Sequence, residues 1–227
     1  MTRDQVLDEL MAMALDLGAS VAGYLPAELL RTCPSAMATG KQSENDFSGT
    51  IIILGLFHDP ARPEMDWWEE GRSTPGDRML GGIARTLAEW LVEYQDIAAY
   101  VIPYQIEDGG IFLKDAAVLA GIGCMGRNNL VLVPGYGPRV RFRALWADLP
   151  TDAPGAVAPP SPCRDCNQPC ENQCPYHAFE GGRYSRERCL QRMDADRAAS
   201  GEKKRPVEHC RICELCCPEG RRVSRTS

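Results

Sequence analysis

The sequence contains no apolar run that approaches the roughly 20 residues needed to cross a bilayer, so it predicts no membrane-spanning helix. No Ser-His-Asp set, P-loop or Rossmann fingerprint can be read from its residue spacing, and the corresponding enzyme classes are not indicated. An excess of basic charge is also missing, because the net charge is -6 at pH 7. An acidic chain suits the nucleic-acid backbone badly, so we expect no nucleic-acid partner.

Export signals are absent from the first residues. The chain opens MTRDQVLDEL, with neither an apolar signal core nor a twin arginine. Disulfide frameworks belong mainly to small secreted domains. We therefore expect a cytoplasmic protein whose cysteines are not paired in disulfides.

Cysteine is what the chain has in quantity, with 11 in 227 residues. Eight of them form two runs, each closing with Cys-Pro: Cys163, Cys166, Cys170 and Cys174, then Cys189, Cys210, Cys213 and Cys217. In bacterial two-cluster ferredoxins, the fourth cysteine of a run ligates the other cluster. The pattern therefore predicts two four-iron, four-sulfur (4Fe-4S) clusters, one on Cys163, Cys166, Cys170 and Cys217 and the other on Cys189, Cys210, Cys213 and Cys174.

Zinc is the main alternative ligand for these thiols, since two zinc sites would also need four thiolates each. Zinc ribbons favour paired Cys-x-x-Cys knuckles, whereas triplets closing in Cys-Pro favour iron–sulfur clusters. Three residues separate Cys166 from Cys170 where two are commonest, which leaves the third ligand of this run open. Cys216 could replace its neighbour Cys217, and the roles of Cys33 and Cys124 stay open.

Strands and helices alternate along the first 150 residues, which predicts an α/β or α+β body. Helical spacing predicts helices over 4–17, 77–95 and 111–120, and apolar runs predict strands over 50–57 and 98–104. Residues 129–133 and 140–146 are interpreted as two strands joined by a turn. The predicted domains are the body at 1–150, a Pro- and Ala-rich linker at 151–162, a cluster domain at 163–218 and a basic tail at 219–227.

One further segment is diagnostic. It runs Ala120-Gly-Ile-Gly-Cys-Met-Gly-Arg-Asn-Asn129 and is followed by Leu130, by Tyr136-Gly-Pro-Arg-Val-Arg141 and by Asp148-Leu-Pro150. This order resembles the epoxyqueuosine reductase and reductive dehalogenase family, in which a similar segment lies just before ferredoxin-like cysteines. The resemblance covers residues 76–218 and extends loosely over residues 1–75.

The resemblance implies an α+β fold with a nitroreductase-like body and a small ferredoxin-like two-cluster domain. It also implies cobalamin, in place of flavin, in a cleft between the two. Electrons would pass from an external low-potential donor through both clusters to cobalt. The residues that it indicates for the cofactor are Gly121, Gly123, Gly126, Arg127, Asn128, Tyr136, Arg139 and Arg141.

Two departures from the family bear on catalysis. The aspartate that donates a proton in epoxyqueuosine reductases aligns with Glu107, which could act as a general acid if burial raised its pKa. The C-terminal extension that helps those enzymes to hold tRNA has no counterpart. We therefore expect a truncated relative, to which the substrate of the family cannot be assigned.

Two functions are compatible with these features. The first is a cobalamin-dependent reductase of a small molecule, with Glu107 as the candidate catalytic residue. The alternative is an electron-transfer or activating protein that reduces a corrinoid, or a flavin, bound to a partner protein. The retained glycine segment favours the first function, and the short chain favours the second.

Overall fold

The computed structural model describes residues 1–40, 48–151, 157–201 and 206–220. The helices are α1 (Arg3–Asp16), α2 (Pro34–Thr39), α3 (Pro75–Gln95), α4 (Leu113–Leu119), α5 (Pro169–Asn172), α6 (Arg186–Ser200) and α7 (Ile212–Leu215). The strands are β1 (Val21–Pro26), β2 (Thr50–Phe57), β3 (Ala99–Val101), β4 (Cys124–Met125), β5 (Val131–Leu132) and β6 (Val140–Ala147). Helices and a largely antiparallel sheet occur together, and the predicted α+β class is confirmed.

Helix α1 begins at a capping box. The Thr2 hydroxyl accepts a hydrogen bond from the Gln5 backbone N–H at 3.3 Å, and the Gln5 side-chain oxygen accepts one from the Thr2 N–H at 2.8 Å. These bonds satisfy two backbone donors that a helix start otherwise leaves without partners. The buried residues of the helix recur at helical spacing and form one apolar face: Val6, Leu7, Leu10 and Ala14.

The main sheet has the strand order β1-β2-β6-β3. Strand β2 is buried along almost its whole length, as expected for a run of β-branched residues covered on both faces. It pairs with β1 in antiparallel register, from Val21 opposite Gly55 to Pro26 opposite Thr50. The strand predicted over 50–57 is confirmed, whereas the strand predicted over 98–104 is limited to β3 and pairs with β6.

The two strands predicted over 129–133 and 140–146 are present as β5 and β6, but they belong to different sheets. Strand β5 pairs with β4, with Met125 opposite Val131, and β6 instead joins the main sheet beside β2 and β3. The tight turn between β4 and β5 is closed by a hydrogen bond from the Gly126 N–H to the Leu130 carbonyl at 2.8 Å. This nearer partner leaves β6 free to bury alternate side chains in the larger sheet.

The predicted helices over 77–95 and 111–120 are confirmed with shifted ends, as α3 and α4. Helix α4 stops at Gly121, which adopts a left-handed conformation with φ of 73°. The Ile122 N–H donates to the Ala117 carbonyl at 3.0 Å, a bond typical of a glycine-terminated helix end. Gly121 therefore ends a helix, which is the ordinary structural role of such a glycine.

The chain divides into two compact units, each assembled from three separate stretches. The first unit contains Met1–Leu56, Met79–Gly123 and Arg141–Pro159, and the second contains Phe57–Arg78, Cys124–Val140 and the chain from Pro160. The predicted domain boundaries stay a prediction, and parts of the predicted linker (152–156) and basic tail (221–227) lie outside the described residues. None of the described helices is long and apolar enough to cross a membrane.

Candidate metal centre

Four cysteines of the second unit line one cavity: Cys163, Cys166, Cys170 and Cys217. This is the set that crossed ligation predicts, because it unites three cysteines of the first run with the last cysteine of the second. Cys170 and Cys217 are buried, whereas Cys163 and Cys166 are partly exposed. Burial raises the pKa of the Cys170 thiol to about 11, with further contributions from the nearby Cys216, Cys217 and Cys163. Cys216 is thus a close neighbour of this set, beside Cys217.

Short turns place the first-run thiols at this cavity. The Ser161 hydroxyl accepts a hydrogen bond from the Cys163 N–H at 3.4 Å, at the start of a short 3-10 turn over Pro162–Asp165. Gln168 adopts a left-handed backbone with φ of 54°, and α5 begins directly after it. Cys170 lies in α5, and the reversal at Gln168 brings its thiol back toward the thiols that precede the turn.

The other four cysteines are related through Cys213, on which Cys174, Cys189 and Cys210 all act electrostatically. Burial raises the pKa of the Cys213 thiol to about 12, and negative charge on Glu214, Cys189, Cys210 and Cys174 adds to the rise. Cys189 lies in α6 and Cys213 in α7, while Cys174 follows α5 and its sulfur accepts a hydrogen bond from the Ala178 N–H at 3.3 Å. Cys217 thus lies at one cavity with three cysteines of the first run, and Cys174 acts on Cys213; the two ligand sets stay a prediction.

Within the described ranges, no three Cys, His, Asp or Glu side chains lie close enough to hold a single metal ion. All four thiolates of a zinc site bind one ion at about 2.3 Å. The thiolates of a four-iron cluster each bind a different iron and stand farther apart. The four cysteine sulfur atoms of a cluster site therefore need not converge on a single metal position.

Two residues predicted for a cofactor donate hydrogen bonds to the cysteine segments, and their cofactor role stays a prediction. Arg139 is buried, and its guanidinium donates hydrogen bonds to the carbonyls of Glu219 at 2.7 Å and Cys217 at 3.1 Å. Asn128 is also buried, and its amide donates to the Cys213 carbonyl at 3.1 Å. Each side chain thus fixes backbone next to a predicted ligand, one in each cysteine set.

The remaining predicted cofactor residues have varied surroundings. A side chain on Gly126 would place Cβ 2.6 Å from the Asn128 Oδ1 atom, so this glycine permits internal packing. Arg127 forms an ion pair with Glu171 at 3.4 Å and lines the same cavity as Cys163 and Cys217. The Tyr136 ring packs against Phe57, with centroids 5.2 Å apart. Gly121, Gly123 and Arg141 belong to the first unit.

A second contact joins the segment 136–139 to the end of the cysteine segment. Gly137 and Gly220 both have left-handed backbones, with φ of 61° and 72°. A Cβ atom on Gly137 would lie 2.2 Å from the Glu219 carbonyl oxygen, and one on Gly220 would lie 2.2 Å from the Tyr136 carbonyl carbon. Only glycine fits at either position, because backbone packs directly on backbone there.

A network of charged residues beside the second cysteine set was not predicted from the sequence. The Asp66 carboxylate bridges His58 Nδ1 at 2.9 Å and an Arg211 guanidinium nitrogen at 2.5 Å. Arg211 also pairs with the buried Glu214. Asp196 accepts a hydrogen bond from the Cys210 N–H at 2.8 Å and pairs with Arg192 at 2.7 Å. The only sequence signal for these roles is adjacency to the cysteines, since Arg211 precedes α7 and Glu214 follows Cys213.

Glu107 and the unassigned cysteines Cys33 and Cys124 lie outside the two sets. Glu107 is exposed on a turn over Ile106–Asp108, and its catalytic role stays a prediction. Cys124 packs in an apolar cluster with Leu132 and Cys217, as a small buried hydrophobe does. Cys33 is buried in the first unit.

No protein-family model matches the chain. Over 119 residues, it is 33% identical to an epoxyqueuosine reductase of Listeria monocytogenes, a match that covers 48% of this chain and 30% of that protein. It is 24% identical to an epoxyqueuosine reductase of Lactococcus garvieae, over 96% of this chain and 70% of that one. The predicted resemblance is confirmed.

Solved structures of epoxyqueuosine reductases and reductive dehalogenases share the fold. An epoxyqueuosine reductase in complex with an epoxyqueuosine-modified tRNA-Tyr stem loop has a TM-score of 0.68 at 18% identity. A reductive dehalogenase whose structure suggests a mechanism for B12-dependent dehalogenation has a TM-score of 0.64 at 17% identity. This chain is 96% and 95% covered by these matches, but it spans 66% of the first protein and 32% of the second.

Proposed function

We propose that this chain is an iron–sulfur oxidoreductase that passes electrons through two 4Fe-4S clusters. The observation that carries the proposal is the crossing of the two cysteine runs. Cys217 lines one cavity with Cys163, Cys166 and Cys170, and Cys174 neighbours Cys213. Similarity to reductases supports the oxidoreductase class.

The residues around the thiols fit such clusters. Bound clusters would supply one-electron transfer at potentials set by net charge and by hydrogen bonds to sulfur. Burial raises the pKa of the Cys170 thiol to about 11 and that of the Cys213 thiol to about 12, and iron ligation requires both as thiolates, so metal binding is coupled to loss of their protons. Arg139 and Asn128 hold the backbone at Cys217 and Cys213, and so position two of the eight ligands.

The metal content tests this proposal directly. We expect about eight iron and about eight labile sulfide per chain after anaerobic purification or reconstitution, because two four-iron clusters hold that number. Iron and sulfide assays, with zinc measured in the same samples, give the answer. Protein that holds zinc and takes up no iron under strict anaerobiosis would exclude the iron–sulfur function.

For the electron acceptor, we propose a corrinoid bound to this chain. The support is the similarity to a dehalogenase associated with B12-dependent dehalogenation and the glycine-rich segment shared with that family. The eight predicted residues fit cobalamin only in part, because Asn128 and Arg139 use polar atoms on the cysteine segments. We therefore assign no binding geometry and no reaction step to cobalamin.

Anaerobic titration separates the candidate acceptors. We expect the absorption spectrum of cobalamin to shift when the folded, iron-loaded protein is added, and the spectrum of flavin to stay unchanged. Heat-unfolded protein serves as the control. A shift for flavin alone would assign a flavin, and no shift for either would favour the alternative function, in which the corrinoid or flavin is bound to a partner protein.

The substrate is proposed only by class. The sequence predicts a small-molecule substrate. It also predicts an external low-potential donor that supplies the electrons. Relatives that are epoxyqueuosine reductases, one of them solved with a tRNA stem loop, do not support the expectation that nucleic acid is excluded. A tRNA stem loop therefore belongs in the same binding experiments as the small molecules.

A further inference from the structure

The hairpin of β4 and β5 packs on the cysteine set that contains Cys217. Cys124 and Leu132 lie opposite each other on its two strands, and both are buried. They form one apolar cluster with Cys217, against which the partly buried Cys163 also packs. Leu132 in addition lines the cavity of the four cysteines. The hairpin therefore gives this cavity an apolar side that contacts a predicted ligand.

Gly126, in the turn of the hairpin, holds Leu132 in this place. A Cβ atom on Gly126 would stand 2.9 Å from the Leu132 Cγ atom, so the leucine side chain occupies the space that this glycine leaves open. The Gly126 N–H also closes the hairpin on the Leu130 carbonyl at 2.8 Å. A residue of the glycine-rich segment thus has a role at the cysteine set itself, through the position of Leu132.

An apolar contact of this kind affects the charge that a cluster can carry. We refer to the cluster predicted on Cys163, Cys166, Cys170 and Cys217 as the Cys217 cluster. A cluster becomes one unit more negative when it accepts an electron, and an apolar contact without water stabilises that charge less than a polar one does. We propose that Leu132 lowers the reduction potential of the Cys217 cluster by excluding water and polar groups from one side of it.

The consequence is a reduced cluster that is a stronger reductant toward its acceptor. Leu132 contacts a ligand rather than a reacting molecule, so it acts as a positioning residue. This inference rests on the proposed iron–sulfur function. Polar residues also line the cavity, among them Arg127, Asn128 and Gln168. They are the same before and after a substitution at position 132, so a difference in potential between such variants measures the contribution of Leu132.

Redox titration of iron-loaded protein, followed by electron paramagnetic resonance, tests the inference. Leu132→Asn keeps a similar volume and places an amide donor beside the ligands. We expect the electron affinity of the Cys217 cluster to rise about tenfold, a shift of about 59 mV for one electron. Leu132→Met keeps the contact apolar and should keep the wild-type potential. The signal of this cluster is identified by its loss in Cys217→Ser.

Val131→Thr is the matched control. Val131 is the neighbouring residue of β5 and is also buried, but it is not among the residues that line the cavity. Successive side chains of a strand point to opposite faces, so a hydroxyl at position 131 should leave the potential unchanged. The control separates a polar group at the cluster from a polar group anywhere in the hairpin.

Leu132→Ala provides a second arm should Leu132→Asn fail to load iron. Its shorter side chain opens the apolar side of the cavity to water, so the potential should again rise. An unchanged or lower potential in either variant would overturn the inference, as would an equal rise in Leu132→Met or Val131→Thr. Loss of iron from both Leu132→Asn and Leu132→Ala would also overturn it, because Leu132 would then serve packing alone. A wild type without iron would instead refute the proposed function itself, which the metal assay detects separately.

Discussion

Gly137→Ala is expected to abolish loading of the Cys217 cluster, whereas Gly135→Ala leaves iron content near that of the wild type. Both glycines have left-handed backbones, with φ of 61° and 80°, so both variants carry a similar backbone strain of about 1–2 kcal/mol. Only the Cβ atom on Gly137 collides with neighbouring backbone, 2.2 Å from the Glu219 oxygen, while nothing lies within 4 Å of one on Gly135. The collision displaces the chain two residues from Cys217.

Iron content per chain and thermal unfolding, measured on both variants, separate the collision from the strain. Gly220→Ala is the reciprocal test, because its Cβ atom would lie 2.2 Å from the Tyr136 carbonyl carbon. It should reproduce the defect of Gly137→Ala. Equal iron in Gly135→Ala and Gly137→Ala would show that the 136–139 segment does not hold the end of the cysteine segment.

Cys217→Ser and Cys174→Ser are expected to damage different clusters. Cys217→Ser should damage the cluster held mainly by the first run, and Cys174→Ser the cluster held mainly by the second run. Cys217 lines the cavity of Cys163, Cys166 and Cys170, and Cys174 neighbours Cys213. Serine lacks the thiolate that iron requires, so each variant should lose or convert one cluster, about half of the iron, and keep the other. The two variants should therefore perturb different signals in electron paramagnetic resonance.

Cys33→Ser is the matched control for this experiment. Cys33 is a buried cysteine outside both sets, and burial raises the pKa of its thiol to about 11, as for Cys170. Its replacement should leave both signals and the iron content intact. Identical spectra from Cys217→Ser and Cys174→Ser would argue against crossed ligation. Retention of a full cluster in Cys217→Ser would point to Cys216 as a replacement ligand, since it neighbours Cys170.

Long, strongly patterned elements were predictable from the sequence. The apolar run at 50–57 and the periodic run at 77–95 correspond to β2 and α3, because burial alone fixes the type of each element. The pairing of β5 was not predictable in this way. Only Val131 and Leu132 form this strand, and its partner β4 is as short, so neither has enough residues to show a period.

The cysteine sets were predictable because iron ligation constrains spacing along the chain. The hydrogen bonds of Arg139 and Asn128 to the cysteine segments were not predictable. Each bonds to a carbonyl about 80 positions away in sequence, at Cys217 and at Cys213. No local sequence pattern indicates which buried polar side chain will form a hydrogen bond with a backbone atom that is distant in sequence. The pairing of Asp66 with Arg211 escapes prediction for the same reason.

The assembly of the second unit from three separate stretches has a consequence during synthesis. A ribosome completes residues 57–78 and 124–140 before the chain from 160 onward exists, and at 5–20 residues per second the stretch 141–220 takes roughly 4–16 s. Arg139 and Gly137 lie in the part made early, while the carbonyl of Glu219 that they meet is made late. Such distant closures are slow folding steps. Neither predicted set of four cysteines is therefore complete until Cys213 and Cys217 have been synthesised.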